Sequence, residues 1–314
     1  MSTVAARPVV HRIRAYARLA KLDVFDYYLS LVVVWSLVGP ALWWQLRTVA
    51  VLVVLLAGQV CVAAAMVCFD DVTGYRDGSD AANYGPDAPA RRLARKPLLA
   101  GTLTEREAIR FGWVTAAAGT ALWVLAVALA PHRPLWTILL AALCVASAVQ
   151  YSWGLKLSYR GGQEVFLAGL GVGWVLAPYG LLAGDPGPFV VVQAVLFGLG
   201  PLLFGVWSNT NDIPGDAAVG RITVATRVSA RGNRTFIGAL TVAEIVLVFV
   251  APWAGAPWWF PLALLPLVAA RVGQLVTGLA RGDILTARRL GIRAHRLTVV
   301  LLVGVNLVAA AFAA

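Results

Sequence analysis

The sequence is poor in charge: Asp, Glu, Lys and Arg make up 13% of 314 residues, while 60% are hydrophobic and mean hydropathy is +0.78. A soluble chain of this length would make one or two domains with charged exteriors, and there are too few charges here to cover them. Sulfur and imidazole donors are scarce as well. Three Cys without paired spacing, beside three His, exclude a disulfide framework and a zinc-type ligand run. Cys61, Cys68 and Cys144 fall in apolar stretches and read as small buried residues. The alternation of a membrane β-barrel is missing too, since the apolar runs are continuous. No short apolar segment with a small-residue cleavage site follows the basic start, so a cleavable signal peptide is not expected.

What the chain does have is apolar runs long enough to cross a bilayer, near residues 25–43, 48–69, 108–130, 134–152, 163–184, 188–208, 235–253, 257–278 and 295–313. Because a span needs ~20 apolar residues, the expected fold is all-α, a multi-pass integral membrane bundle of about nine transmembrane helices around a central cavity. Residues 1–23 form a basic arm in which His11, Ile13, Ala17 and Leu19 give an amphipathic pattern suited to the bilayer surface. Residues 24–314 make a single transmembrane helical domain. Two four-helix pseudo-repeats, about 24–152 and 163–278, precede a final helix at 295–313, with a cytoplasmic lid at about 70–107.

A formal charge of +11 is not a nucleic-acid footprint here, because its distribution is one-sided. Numbering the spans puts all 26 Lys and Arg except Arg47 and Arg133 on the side of the N-terminus and the even-numbered connections. That is the positive-inside pattern, with the N-terminus and the Asp-rich loops cytoplasmic and the basic excess facing anionic lipid. High Ala, Val, Leu, Arg and Trp use suits a high-GC genome, and with it a bacterial inner membrane.

Two acidic clusters stand at the ends of apolar runs, in loops 2–3 and 6–7 and therefore on one face. The first is Asp70-Asp71-Val-Thr-Gly74-Tyr-Arg-Asp77-Gly-Ser-Asp80; the second is Asn209-Thr-Asn211-Asp212-Ile-Pro-Gly-Asp216. Asp212 and Asp216, four apart, point along one face of a helical turn, where two carboxylates about 4 Å apart repel by roughly 4 kcal/mol at an effective dielectric near 20. Oxygen ligands without His or Cys select Mg²⁺, which takes one or two carboxylates and completes its shell with water and phosphate. A solvated helix end is the alternative for this pair, and Asp77-Gly-Ser-Asp80 equally suits a turn with Asx hydrogen bonds. Lys156, in Tyr151-Ser-Trp-Gly-Leu-Lys156, either holds a phosphate or snorkels to the interface, and Arg95 and Lys96 pose the same choice. Carboxylates and cations on one face, beside spans rich in aromatic residues, imply a Mg-bridged isoprenyl diphosphate, farnesyl, geranylgeranyl or longer.

In these residues the chain resembles the UbiA superfamily of intramembrane prenyltransferases. Asp70-Asp71-Val-Thr-Gly74 with Gly78-Ser-Asp80 resembles the first family motif, and Asp212…Asp216…Gly220…Thr223 the second. Arg95-Lys96-Pro97-Leu98-Leu-Ala-Gly101 resembles the lid, Tyr151…Lys156 the Tyr-x-x-x-x-Lys stretch, and Arg160-Gly-Gly-Gln-Glu164 the Gly-Glu run opening the fifth span. The resemblance implies Mg-diphosphate binding by Asp71, Asp212 and Asp216 and diphosphate contact by Lys156. Asp70, Asp77 and Asp80 join the expected metal ligands; Arg95, Lys96, Asn209 and Tyr151 join the diphosphate contacts. Two positions depart from the motif: Asp70 stands for the first Asn, and Gly74 for the middle Asp, leaving Asp70, Asp77 or Asp80 to compensate.

The implied activity is transfer of the prenyl group to a lipophilic or aromatic acceptor; the alternative is a UbiA-type terpene cyclase, which ionises the same substrate without an acceptor. A secondary transporter would place its ion sites near the midplane. Only Glu244 reads as intramembrane, either as a hydrogen-bonded carboxyl or as a proton acceptor.

Overall fold

The computed structural model describes residues 9–84 and 93–313. Val9–Ala20 forms a surface helix, α1. The bundle follows as α2 (Ser30–Leu37), α3 (Leu46–Asp77), α4 (Glu105–Leu129), α5 (Leu135–Gln150), α6 (Gln163–Ala183), α7 (Pro188–Ala218), α8 (Ala230–Val250), α9 (Leu265–Leu275) and α10 (Ile284–Ala313). Six of these are long and apolar enough to cross a membrane; α2, α5 and α9 are the shorter apolar helices, extended at α2 by the turn Tyr27–Leu29 and at α9 to Ala280. Helices α2 to α10 match the nine expected runs one for one. Among the described residues the only β feature is an isolated bridge between Arg160 and Ile222. The expected lid is described only in part: residues 85–92, with Asp87, Arg91 and Arg92, lie outside the described residues, as does Arg7 of the arm.

The outside of the bundle is greasy. Trp44, Trp253 and Trp258 are each more than three-quarters exposed, and Val53, Leu139 and Leu143 are exposed along the helix sides. Water would not tolerate so much apolar surface, but lipid does, and Trp at the helix ends marks a headgroup belt. These Trp lie at the end opposite the acidic clusters. Arg47, one of two basic residues at that end, donates to the carbonyls of Leu129 and Ala130 at 2.7 and 3.0 Å and so caps α4. Inside, Tyr27, Trp174, Phe197 and Trp207 are buried, and Tyr27 meets Trp174 edge-on with ring centres 5.6 Å apart.

Glu244 is a hydrogen-bonded carboxyl. Arg271 on α9 donates to both its oxygens at 2.5 and 2.9 Å and to Gln274 Oε1 at 3.1 Å, while Gln274 donates to the Leu203 carbonyl at 3.0 Å. Arg271, which sequence sidedness groups with the basic flank of loop 8–9, is fully buried in this pair. Lipid offers no water to an unpaired charge, so each group is kept by the other.

Candidate active site

Both acidic clusters are helical, not looped. No breaker interrupts α3 after its apolar run, so it continues 32 residues to Asp77 and closes at Gly78 in the left-handed conformation, φ +82°. Helix α7 likewise runs through Asp212 and Asp216 to Ala218, carrying Pro214 inside it. The acids therefore crowd the C-terminal ends of two long helices, where the backbone dipole already presents negative charge. Carboxylates placed there need cations.

Two glycines let the ends converge. A Cβ at Gly215 would lie 2.4 Å from Asn83 Oδ1, so the short helix Ser79–Asn83 sits directly against α7. A Cβ at Gly74 would lie 2.9 Å from Asp80 Cγ and about as far from both its oxygens. The Asp80 carboxylate thus fills the space that a side chain at position 74 would use. Of the three carboxylates expected to compensate for Gly74, it is Asp80 that occupies this space, paired there with Lys96.

The result is a cavity of about 570 Å³ at this end of the bundle, lined by six carboxylates and six basic side chains. It brings together Asp70, Asp80, Asp212 and Asp216 with Arg95, Lys96, Asn209 and Tyr151. Asp71 lies just behind, 1% exposed, with Oδ1 2.5 Å from Lys21 Nζ and 2.7 Å from Lys96 Nζ and with Oδ2 unpartnered. Lys96 also pairs with Asp80 at 2.6 Å and lies over the Tyr84 ring. Burial by itself would lower the Lys96 pKa, but Asp71 and Asp80 more than offset it, so the ammonium is held well above its ordinary value. Burial raises the Asp80 carboxyl, with Lys96 opposing and Asp71 adding to the rise. Asp70 accepts from Ser152 Oγ at 2.6 Å and faces Arg221 at 3.5 Å. Asp212 accepts from the Asn211 amide at 2.9 Å.

Two expected residues lie elsewhere. Asp77 is spent locally: its Oδ1 accepts the Ser79 N–H at 3.0 Å, an Asx turn, and its Oδ2 accepts the Tyr159 hydroxyl at 2.6 Å. Lys156 is exposed, with φ +49°, and its ammonium lies 5.3 Å from the Tyr159 ring centre. With Asp77 it lines a separate hollow of about 230 Å³. Asn209 borders the main cavity, yet its amide is tied on both sides, accepting from Gln163 Nε2 at 2.9 Å and donating to Glu164 at 3.1 Å. Arg95 reaches the cavity while paired with Asp23 at 2.6 Å. Tyr151 is buried and stacked on Phe166, ring centres 4.7 Å apart.

Four cations in the cavity were not singled out from sequence: Lys21, Arg221, Arg288 and Arg289. Lys21 ends α1 in the left-handed conformation, φ +44°, a strained backbone for a residue other than glycine. Arg221 lies between the clusters, over the Tyr159 ring at 4.9 Å. Arg288 donates to Ser208 at 2.5 Å. Their only signal was position: each lies at the membrane boundary on the acidic side.

An all-α membrane bundle with a polar chamber that gathers carboxylates and cations at the ends of α3 and α7 is a multi-pass membrane protein with a charged pocket at one end of its helices. The chain belongs to the UbiA prenyltransferase family, whose description matches residues 29–290. Solved structures share the fold. A UbiA homologue from Archaeoglobus fulgidus bound to DMAPP and Mg²⁺ superposes with a TM-score of 0.64 at 13% identity, covering 90% of this chain and 98% of that one. The apo UbiA homologue from Aeropyrum pernix K1 gives 0.63 at 16% identity, covering 91% and 98%. A structure of digeranylgeranylglyceryl phosphate synthase gives 0.62 at 14%, covering 95% and 98%. No curated protein shows significant sequence similarity.

Among the described residues no three His, Cys, Asp or Glu side chains are grouped as a metal cluster. Mg²⁺ needs only one or two protein carboxylates, taking its other oxygens from phosphate and water. The oxygen-only donors of Asp212 and Asp216, four apart on α7, fit such an ion.

Proposed function

We propose that this chain is an intramembrane prenyltransferase that binds an isoprenyl diphosphate in the chamber and moves its prenyl group to a lipophilic or aromatic acceptor. One observation carries the reading: two acid-bearing helix ends and six cations border a single cavity in a bundle otherwise written for lipid. Support comes also from the family and from the Archaeoglobus fulgidus homologues bound to DMAPP or GPP with Mg²⁺. In this reading the acidic end faces the cytoplasm, where soluble diphosphates arrive, as the basic bias of that side indicates.

Asp212 and Asp216 would hold Mg²⁺, and bound Mg²⁺ supplies charge stabilisation to the departing diphosphate. Arg221 and Lys96 present N–H donors to phosphate oxygens in a setting where burial strengthens each contact. Tyr151 and Phe25, at the apolar border, face the emerging allylic cation. The C–O bond breaks with its electron pair on the diphosphate oxygen. The acceptor then gives an electron pair to the cation and loses a proton, so the products are prenylated acceptor, diphosphate and H⁺.

The test is incubation of purified protein in detergent with geranylgeranyl diphosphate and Mg²⁺, with and without a panel of quinols and phenols. Prenylated acceptor, absent in Asp216→Ala, is the expected product. Cyclic hydrocarbon or terpene alcohol without acceptor would replace the transferase by a cyclase, and an intact diphosphate under every condition would end the reading.

A further inference from the structure

Of the three lysines in the chain, two are spent on carboxylates: Lys21 on Asp71, and Lys96 on Asp71 and Asp80. Lys156 is the third. Among the described residues its ammonium meets the Tyr159 ring and no carboxylate. The turn that carries it is tightly built. Gln150, the last residue of α5, accepts the Leu155 N–H on its side-chain oxygen at 2.8 Å. Gly154 takes φ +56° where a Cβ would lie 2.3 Å from that oxygen, and Lys156 follows at φ +49°. A residue other than glycine held at positive φ is strained, and such strain gathers where ligands are clamped.

Lys156 lines the hollow of about 230 Å³ together with Thr73, Arg76, Asp77, Ser152 and Trp153. Arg76 lies over the Trp153 ring at 5.1 Å and pairs with Glu105 at 2.7 Å. Asp77 is occupied by the Ser79 N–H and the Tyr159 hydroxyl, which leaves Lys156 as the charge with unused capacity. The rim is apolar. Leu155 is 55% exposed, and Trp113, 48% exposed, meets Trp153 at right angles with ring centres 6.5 Å apart. An ammonium beside tryptophans at the ends of membrane-crossing helices is the setting of a lipid headgroup.

We propose that this hollow binds an anionic phospholipid from the leaflet at the acidic end of the bundle, its phosphate on Lys156 and its acyl chains along Leu155 and Trp113. Inorganic phosphate offers the same charged group, but only the lipid also covers the apolar rim. The hollow is separate from the chamber yet shares its wall. Ser152 Oγ donates to Asp70 at 2.6 Å, and the Tyr159 ring centre lies 5.3 Å from Lys156 and 4.9 Å from Arg221 of the chamber. A lipid seated on Lys156 therefore braces the turn that presents Tyr151 to the chamber.

The measurement is native mass spectrometry of the full chain from detergent micelles doped with phosphatidylglycerol or phosphatidylcholine, with Mg-pyrophosphate affinity and melting temperature followed in parallel. The wild type should retain phosphatidylglycerol in preference to phosphatidylcholine. Lys156→Ala should lower the phosphatidylglycerol affinity by about 5-fold, the equivalent of about 1 kcal/mol for one basic residue at a membrane surface, and Lys156→Arg should keep it. An unchanged melting temperature in both variants reports an intact fold, and pyrophosphate affinity should stay near wild type. Equal retention of the two lipids, or unaltered phosphatidylglycerol retention in Lys156→Ala, would overturn the proposal. Displacement of the lipid by millimolar inorganic phosphate would overturn it in favour of a free anion. Pyrophosphate binding weakened by Lys156→Ala without loss of lipid would overturn it too, returning Lys156 to the chamber. A wild type that holds phosphatidylglycerol but no pyrophosphate would instead remove the Mg-diphosphate reading and leave this site standing.

Discussion

Two buried ion-pair systems in this bundle use similar groups to opposite ends. Glu244 and Arg271 bind each other through two hydrogen bonds, 1% and 0% exposed, and Gln274 takes up a further guanidinium N–H. Lys96 and Asp71 are almost as deeply buried and Asp80 is partly exposed, yet one oxygen of Asp71 has no partner and Asp80 and Lys96 line a cavity. The first system is closed on itself and can only hold α8 to α9. The second is held incompletely, and groups left with unsatisfied capacity beside a cavity are the ones able to meet a ligand. Burial of charge alone does not distinguish an active site from a staple; leftover hydrogen-bonding capacity does.

That contrast can be broken most severely at the cavity. Asp212→Ala or Asp216→Ala should lower turnover by at least about 10³-fold with thermal unfolding in detergent near wild type. Unchanged turnover in either variant would dissolve the metal site. At the staple the effects should reverse. Arg271→Ala leaves the buried Glu244 carboxyl without its partner, a loss of about 3–5 kcal/mol, seen as a large fall in melting temperature. If this variant melts like the wild type, the pair is not structural. Gly74→Ala should be milder, because the Cβ meets the Asp80 carboxylate at 2.9 Å and crowding of this kind costs about 1–3 kcal/mol. A raised KM for diphosphate with a fall in melting temperature of a few degrees, smaller than that of Arg271→Ala, is the expected pattern. The smallest effect belongs to Lys156→Ala, since an exposed charge contributes about 0–1 kcal/mol; kcat/KM should change by a few fold at most.

The last prediction runs against the motif. Tyr151-x-x-x-x-Lys156 reads as a phosphate-binding element in sequence, but the turn after α5 sends the lysine outward at φ +49° and leaves only Tyr151 on the cavity. The helices themselves were legible because a bilayer demands long apolar runs, and their sidedness because only Arg47 and Arg133 break the basic bias. The i, i+4 pair Asp212 and Asp216 was legible for the same reason any helix face is. The helical continuation of α3 to Asp77 was not, because hydropathy falls after Phe69 while the helix carries on through Gly74 and turns only at Gly78. The cations facing the acids were hidden by distance along the chain. Lys21 lies 50 residues from Asp71, and sequence gives no sign that a surface arm will reach a helix end. Arg221, five positions after Asp216, counted only toward orientation.

Lys21 also ties two tasks to one residue. It follows directly on the amphipathic surface helix α1, and from that same backbone position its ammonium lies against Asp71. Cutting the chain at residue 24, the obvious place to remove a membrane foot, would therefore also unbalance the chamber by one positive charge. Shortened versions of this protein should be judged by whether they keep residue 21, not by whether the bundle still assembles.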